Sequence, residues 1–189
     1  MRAARLLALI GVLSALAACA DVGVNLGGGG GGGGAAPEGL GAYGDVPNAT
    51  PFNPRDLAWS TAPGGGSIAG LLDYRPGGVA YTCNGGDVIL TPESPWSRRR
   101  MVILYGAAIG AAIPVSVVRA RTAGAPIGDY ARYVRKTTCD LQNHFYFSDL
   151  PSGAWYVITV AKPVDGRGEA MAVTRRVEVR GGQRSIVLN

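Results

Sequence analysis

Residues 137–163 read TTCDLQNHFYFSDLPSGAWYVITVAKP. Phe145 and Phe147 share one parity, and His144, Tyr146 and Ser148 take the other, which is the period-2 alternation of a strand with one buried face. Leu150-Pro151-Ser152-Gly153 suits a type I turn, because proline presets φ at the second position and glycine tolerates the fourth. Trp155 to Ala161 is apolar except for Thr159 and rich in aromatic and β-branched residues, as expected of an interior strand. The stretch predicts two strands joined as a hairpin, and with them a β-rich fold.

The same residues carry a resemblance. Carboxypeptidase regulatory-like domains show a pattern of the form T-x-D-x-x-G-x-F-x-F-x-x-L-P-x-G-x-Y-x-V. Thr138, Asp140, Phe145, Phe147, Leu150, Pro151, Gly153, Tyr156 and Val157 fall on it or within one position. Asn143 stands where the pattern has its turn glycine, and asparagine is the non-glycine residue that best tolerates positive φ. Upstream, TCNGGDVILTPESPW is similar to the opening of bacterial relatives of this module, with Cys83, Val88, Leu90 and Pro92 in matching places. The resemblance covers about the last two-thirds of the chain. It implies an all-β, prealbumin/Ig-like sandwich of about seven strands. It also implies a non-catalytic role, since this module is usually an appendage.

Outward from the centre, Ser67–Leu72 and Asp87–Pro92 read as strands, and Val79–Thr82 as the extension of another. On the C-terminal side, Val177 and Val179 alternate with Arg176, Glu178 and Arg180. Gly181-Gly182 then reads as a hairpin turn with Ser185–Leu188 pairing back. Between the two halves lies an insertion. Ser97 to about Ala112 suits a short helix with Ser97 as N-cap, which Pro114 would stop. Val115–Arg121 alternates as a strand. Met101–Val118 has no charge and nearly the length of a bilayer span. Gly106, Gly110, Pro114 and the flanking arginines argue against that reading.

The N-terminal part reads as an address and a tether. Arg2 and Arg5 precede an apolar run from Leu6 to Leu16, as in a signal peptide over residues 1–18. Leu16-Ala17-Ala18-Cys19 resembles the lipobox of bacterial lipoproteins, which implies cleavage before Cys19 and acylation there. Several acyl chains on one cysteine make a stable anchor. With Ala20 rather than aspartate after the cysteine, the resemblance implies the periplasmic face of a Gram-negative outer membrane. Residues 19–66 hold the glycine run Gly27–Gly34 and prolines at 37, 47, 51, 54 and 63, so they read as a disordered tether. Phe52, Leu57 and Trp59 are the tether residues able to dock on the domain, which is expected over residues 67–189. Without Arg2 and Arg5 the chain keeps 16 basic against 13 acidic residues, too slight a surplus to imply nucleic acid as a partner.

Chemistry is sparse. Of three cysteines, lipidation takes Cys19 and leaves Cys83 and Cys139. In an oxidising compartment these favour a disulfide over two buried thiols. His144 is the only histidine. It sits on the polar parity of its strand with no nucleophile elbow nearby. No His/Cys cluster has zinc-ligand spacing, so neither metal nor cofactor is expected. Asp140 and Asp149 read as turn residues bonding their own backbone. Trp96 with Arg98, Arg99 and Arg100 forms a possible binding surface.

Two functions remain open. One is a non-catalytic, lipid-anchored envelope module that binds or braces a protein or polysaccharide partner. The other is a carbohydrate-binding module or hydrolase of envelope glycans. Exposure of Trp96 and Trp155 would favour the second.

Overall fold

The computed structural model describes residues 50–125 and 128–189. The expected signal peptide, Cys19 and the glycine run lie outside the described residues. The described part holds nine strands: β1 Gly66–Leu72, β2 Tyr81–Thr82, β3 Asp87–Pro92, β4 Gly110–Pro114, β5 Arg135–Thr138, β6 His144–Leu150, β7 Gly153–Pro163, β8 Met171–Val179 and β9 Gly182–Leu188. Two short helices, α1 Pro95–Tyr105 and α2 Val115–Thr122, flank β4. One sheet has the order β6-β1-β9, the other β4-β8-β7-β3-β5, with β2 pairing off the end of β7. The result is an all-β sandwich with a helical insertion.

The alternation read from sequence decides which faces meet. Ile68 and Leu72 from β1, Phe145 and Phe147 from β6, and Leu188 from β9 belong to one core with Val88, Leu90, Trp155, Val157 and Val177 of the larger sheet. Close packing at this interface is what excludes a larger residue at Gly70. A Cβ there would lie 1.9 Å from the Phe145 ring.

Both expected hairpins are instead crossings between sheets. β6 pairs with β1, whereas β7 pairs with β3 and β8. The link at Pro151-Ser152 therefore carries the chain from one layer to the other. Asp149 takes φ 56 and Gly153 φ 154 at this corner, and Leu150 and Pro151 are buried. The Gly181-Gly182 turn does the same. β8 stays in the larger sheet while β9 runs parallel to β1. Turn residues look alike in a hairpin and in such a corner. The choice is made by which partner strands bury the two apolar faces.

The insertion also departs from expectation. α1 starts two residues earlier than its expected cap, with Ser94 as N-cap, Ser97 completing a capping box and Pro95 in the first turn, where a missing N–H costs nothing. It ends at Gly106, which takes φ 78. Residues 110–112, expected as the end of the helix, lie instead in β4, which runs along β8. Residues 115–121, expected as strand, lie in α2. Sheet-edge hydrogen bonding to β8 outweighs the helix propensity of the alanines, and local β-propensity yields to docking beside α1. The uncharged run 101–118 is thus divided between helix, strand and helix. No helix among the described residues is long and apolar enough to cross a membrane.

The ordered part also begins before Ser67. Leu57 is 1% exposed and Ser60 is buried. Trp59 meets Trp155 edge-on, with ring centroids 5.0 Å apart. Burying Leu57 alone is worth about 2 kcal/mol, enough to offset the ordering of a residue or two. The last part of the expected tether, residues 50–66, is therefore part of the folded unit.

Cys83 and Cys139 are joined by a disulfide, with Cα atoms 5.7 Å apart. The insertion is tethered between them.

Candidate functional site

The outward face of the larger sheet is where the insertion lands. On β3 and β7, residues that alternate with the core present Ile89, Thr91, Tyr156 and Ile158 to this side, and β5 adds Lys136 by its register with Ile89. α1 and α2 stand over this face and leave a cleft of about 670 Å³. Its floor is Ile89, Thr91 and Ile158. Its walls include Trp96, Met101 and Tyr105 of α1, Val118 of α2, and Tyr130. Arg100, Lys136 and Asp129 bring charge to it. A mostly apolar, aromatic cleft of this size with a few polar groups is the usual form of a small-ligand site.

Packing fixes the aromatic wall. The Trp96 and Tyr130 ring centroids are 4.9 Å apart, and Phe52 meets Trp96 edge-on at 5.1 Å. The Arg100 guanidinium lies 5.8 Å from the Trp96 ring centre and 5.4 Å from that of Tyr130. A Cβ on Gly128 would fall 2.6 Å from the Phe52 ring, so the N-terminal segment helps to build this wall. Burial pushes the Tyr105 hydroxyl up to about 12, leaving it a neutral hydrogen-bonding group at physiological pH.

A charge network outside the cleft holds α1 in position. Glu93, just before the helix, accepts from Arg176 Nε at 2.9 Å, from the Tyr156 hydroxyl at 2.8 Å and from Arg98 at 3.1 Å. Burial opposes its charge. The Arg176 and Tyr156 hydrogen bonds and the nearby guanidinium groups outweigh burial and hold its carboxyl below the usual carboxylate range. The same burial and the Glu93 partner push the Tyr156 hydroxyl well above its ordinary value.

Of the expected surface residues, Trp96 and Arg100 line the cleft. Arg98 is taken by Glu93, and Arg99 is half-buried. Trp96 and Trp155 are 1% and 0% exposed, so they do not form an exposed stacking row. His144 is exposed, with Nδ1 3.8 Å from an Asp140 oxygen. Asp140 accepts from the backbone N–H groups of Gln142 and His144 at 2.9 and 2.7 Å, the turn role read from sequence. Asp149 accepts from the Ser148 hydroxyl at the far end of β6. No group of three or more potential metal ligands occurs among the described residues. Tyr105, Tyr130 and Lys136 escaped the sequence reading because they come from α1, a loop and β5, which only folding brings together.

No family model and no curated protein matches the chain. A solved structure from Pseudomonas aeruginosa, a candidate carbohydrate-binding protein, is similar to it with a TM-score of 0.53. Identity is 24%, and the match covers 76% of this chain and 99% of that one. The likeness establishes a shared fold.

Proposed function

We propose that this protein is a lipid-anchored envelope protein whose sandwich binds a carbohydrate in the cleft between the larger sheet and α1–α2, without turning it over. The observation that carries this is the cleft itself, with an aliphatic floor, aromatic walls and hydrogen-bonding groups at its edge. Sugar rings offer apolar faces and polar rims, which such a site matches. A non-catalytic role is supported by the carboxylates. A glycosidase needs two acids facing across its site. Among the described residues that line the cleft, Asp129 is the one acid. The description of the Pseudomonas aeruginosa protein supports the same ligand class. The placement of Phe145, Phe147, Leu150 and Tyr156 in buried positions supports membership of the carboxypeptidase regulatory-like group. The lipobox-like Cys19 supports the periplasmic address.

Calorimetric titration of the full-length protein in detergent with envelope oligosaccharides tests the reading. Saturable binding that is weakened by Tyr130→Ala, without release of reducing sugar, is expected. Binding unaffected by Tyr130→Ala, or steady glycan cleavage, would overturn it.

A further inference from the structure

The distribution of charge and of unused donors narrows the ligand. Residues 95–135 carry seven arginines against a single acid, Asp129, while the other described residues carry nine charges of each sign. The domain's positive surplus therefore sits within residues 95–135, of which Arg100 lines the cleft. Two cations, Arg100 and Lys136, line the cleft with one carboxylate, Asp129. Lys136 is exposed, and its ion partner Asp87 lies 3.9 Å away at an equally exposed position, so this pair is loosely held. The Nε1–H of Trp96 has no acceptor among the described residues, although Trp96 is buried. An orphaned buried donor calls for an explanation, and an acceptor brought by a ligand supplies one. Two hydroxyl groups of the cleft lining are already engaged. Ser97 donates to the Pro92 carbonyl at 2.9 Å and Thr122 to that of Val118 at 2.9 Å.

We propose that the cleft selects an acidic sugar, one bearing a carboxylate or phosphate, over its neutral counterpart. The anion is drawn by Arg100 and Lys136, and the Trp96 N–H donates to a ligand oxygen. This rests on the carbohydrate reading of the cleft. A charged hydrogen bond inside an apolar cleft is stronger than one in water, so discrimination by charge follows from the site's chemistry.

The test is calorimetric titration of the full-length protein in detergent with trigalacturonate against galactotriose, and with mannose 6-phosphate against mannose. The acidic member of at least one pair is expected to bind about tenfold tighter, with affinity falling as salt rises. The pair that discriminates tells carboxylate from phosphate. Lys136→Gln is expected to remove most of the preference with the melting temperature unchanged. Trp96→Phe removes the N–H together with the pyrrole ring, so it is expected to lower the melting temperature through lost packing and, in the protein that remains folded, to weaken acidic-sugar binding several-fold more than neutral-sugar binding. Equal affinity for acidic and neutral members overturns this inference and leaves the carbohydrate reading standing. Binding of none of the four sugars overturns this inference, and failure of the envelope oligosaccharides to bind as well overturns the carbohydrate reading with it. A preference that survives both Lys136→Gln and Arg100→Gln also overturns the inference.

Discussion

The Asn143 side-chain oxygen accepts a hydrogen bond from the Thr82 hydroxyl at 2.6 Å, across 61 positions of sequence. It also accepts from the Cys83 backbone N–H at 3.2 Å, while Asn143 itself holds φ 66. The residue replacing a turn glycine thus keeps the left-handed backbone and adds a link beside the disulfide. Asn143→Gly is expected to cost about 1 kcal/mol through the lost bonds. Asn143→Ala should cost about 1 kcal/mol more, because alanine resists positive φ. Urea denaturation of both variants checks the order, and equal losses would contradict the backbone part of the argument.

Glu93 predicts an acid sensitivity. Its folded pKa is lowered, so its contribution is fully present above the unfolded value of about 4.3. That contribution is lost as pH falls through the lower folded value. Glu93→Gln is expected to destabilise by about 2 kcal/mol at pH 7, the scale of hydrogen bonds to charged groups. The gap from wild type should shrink below about pH 4. A gap constant from pH 7 to pH 3 in thermal melts would exclude this role.

The disulfide closes a loop of 56 positions, which the chain-entropy model values at about 4 kcal/mol. Alkylation of the denatured, unreduced protein should find both Cys83 and Cys139 blocked. Cys139→Ser should lower the melting temperature clearly, and an unchanged melt would refute the linkage.

Residues 50–66 are expected to resist proteolysis with the rest of the domain. Limited proteolysis should leave residues 50–66 attached to the domain. Trp59→Ala should cost about 3 kcal/mol, as for other large-to-small changes in packed sites. Gly153→Ala should be comparably harmful, because its Cβ would fall 2.3 Å from the Trp59 ring. Early cleavage between residues 50 and 66 in the wild type would argue for a loose tether.

Cys19→Ala should leave unprocessed precursor and abolish labelling by radioactive fatty acid. Labelling of the variant at the wild-type level would remove the lipoprotein assignment.

Much of the domain was readable in the chain because strand alternation is a local property. β3 was read at Asp87–Pro92 as it stands in the structure. The buried parity of Phe145 and Phe147 and the Cys83–Cys139 pairing followed from side-chain period and cysteine count, and the positive φ at Asn143 agrees with its place at the turn glycine of the pattern the chain resembles. What the chain could not disclose was which strands pair. The turns at Pro151-Ser152 and Gly181-Gly182 serve a hairpin or a crossing equally well, and the buried faces of the whole sandwich select the crossing. The alanine run of β4 and the valines of α2 yielded their local preferences to a sheet edge and a neighbouring helix for the same reason. The cleft is likewise a tertiary product. Trp96 is far in sequence from Tyr130 and Lys136, and the three line one cleft only when the insertion folds over the outer face of the larger sheet, where burial and charge are set by neighbours that no local pattern encodes.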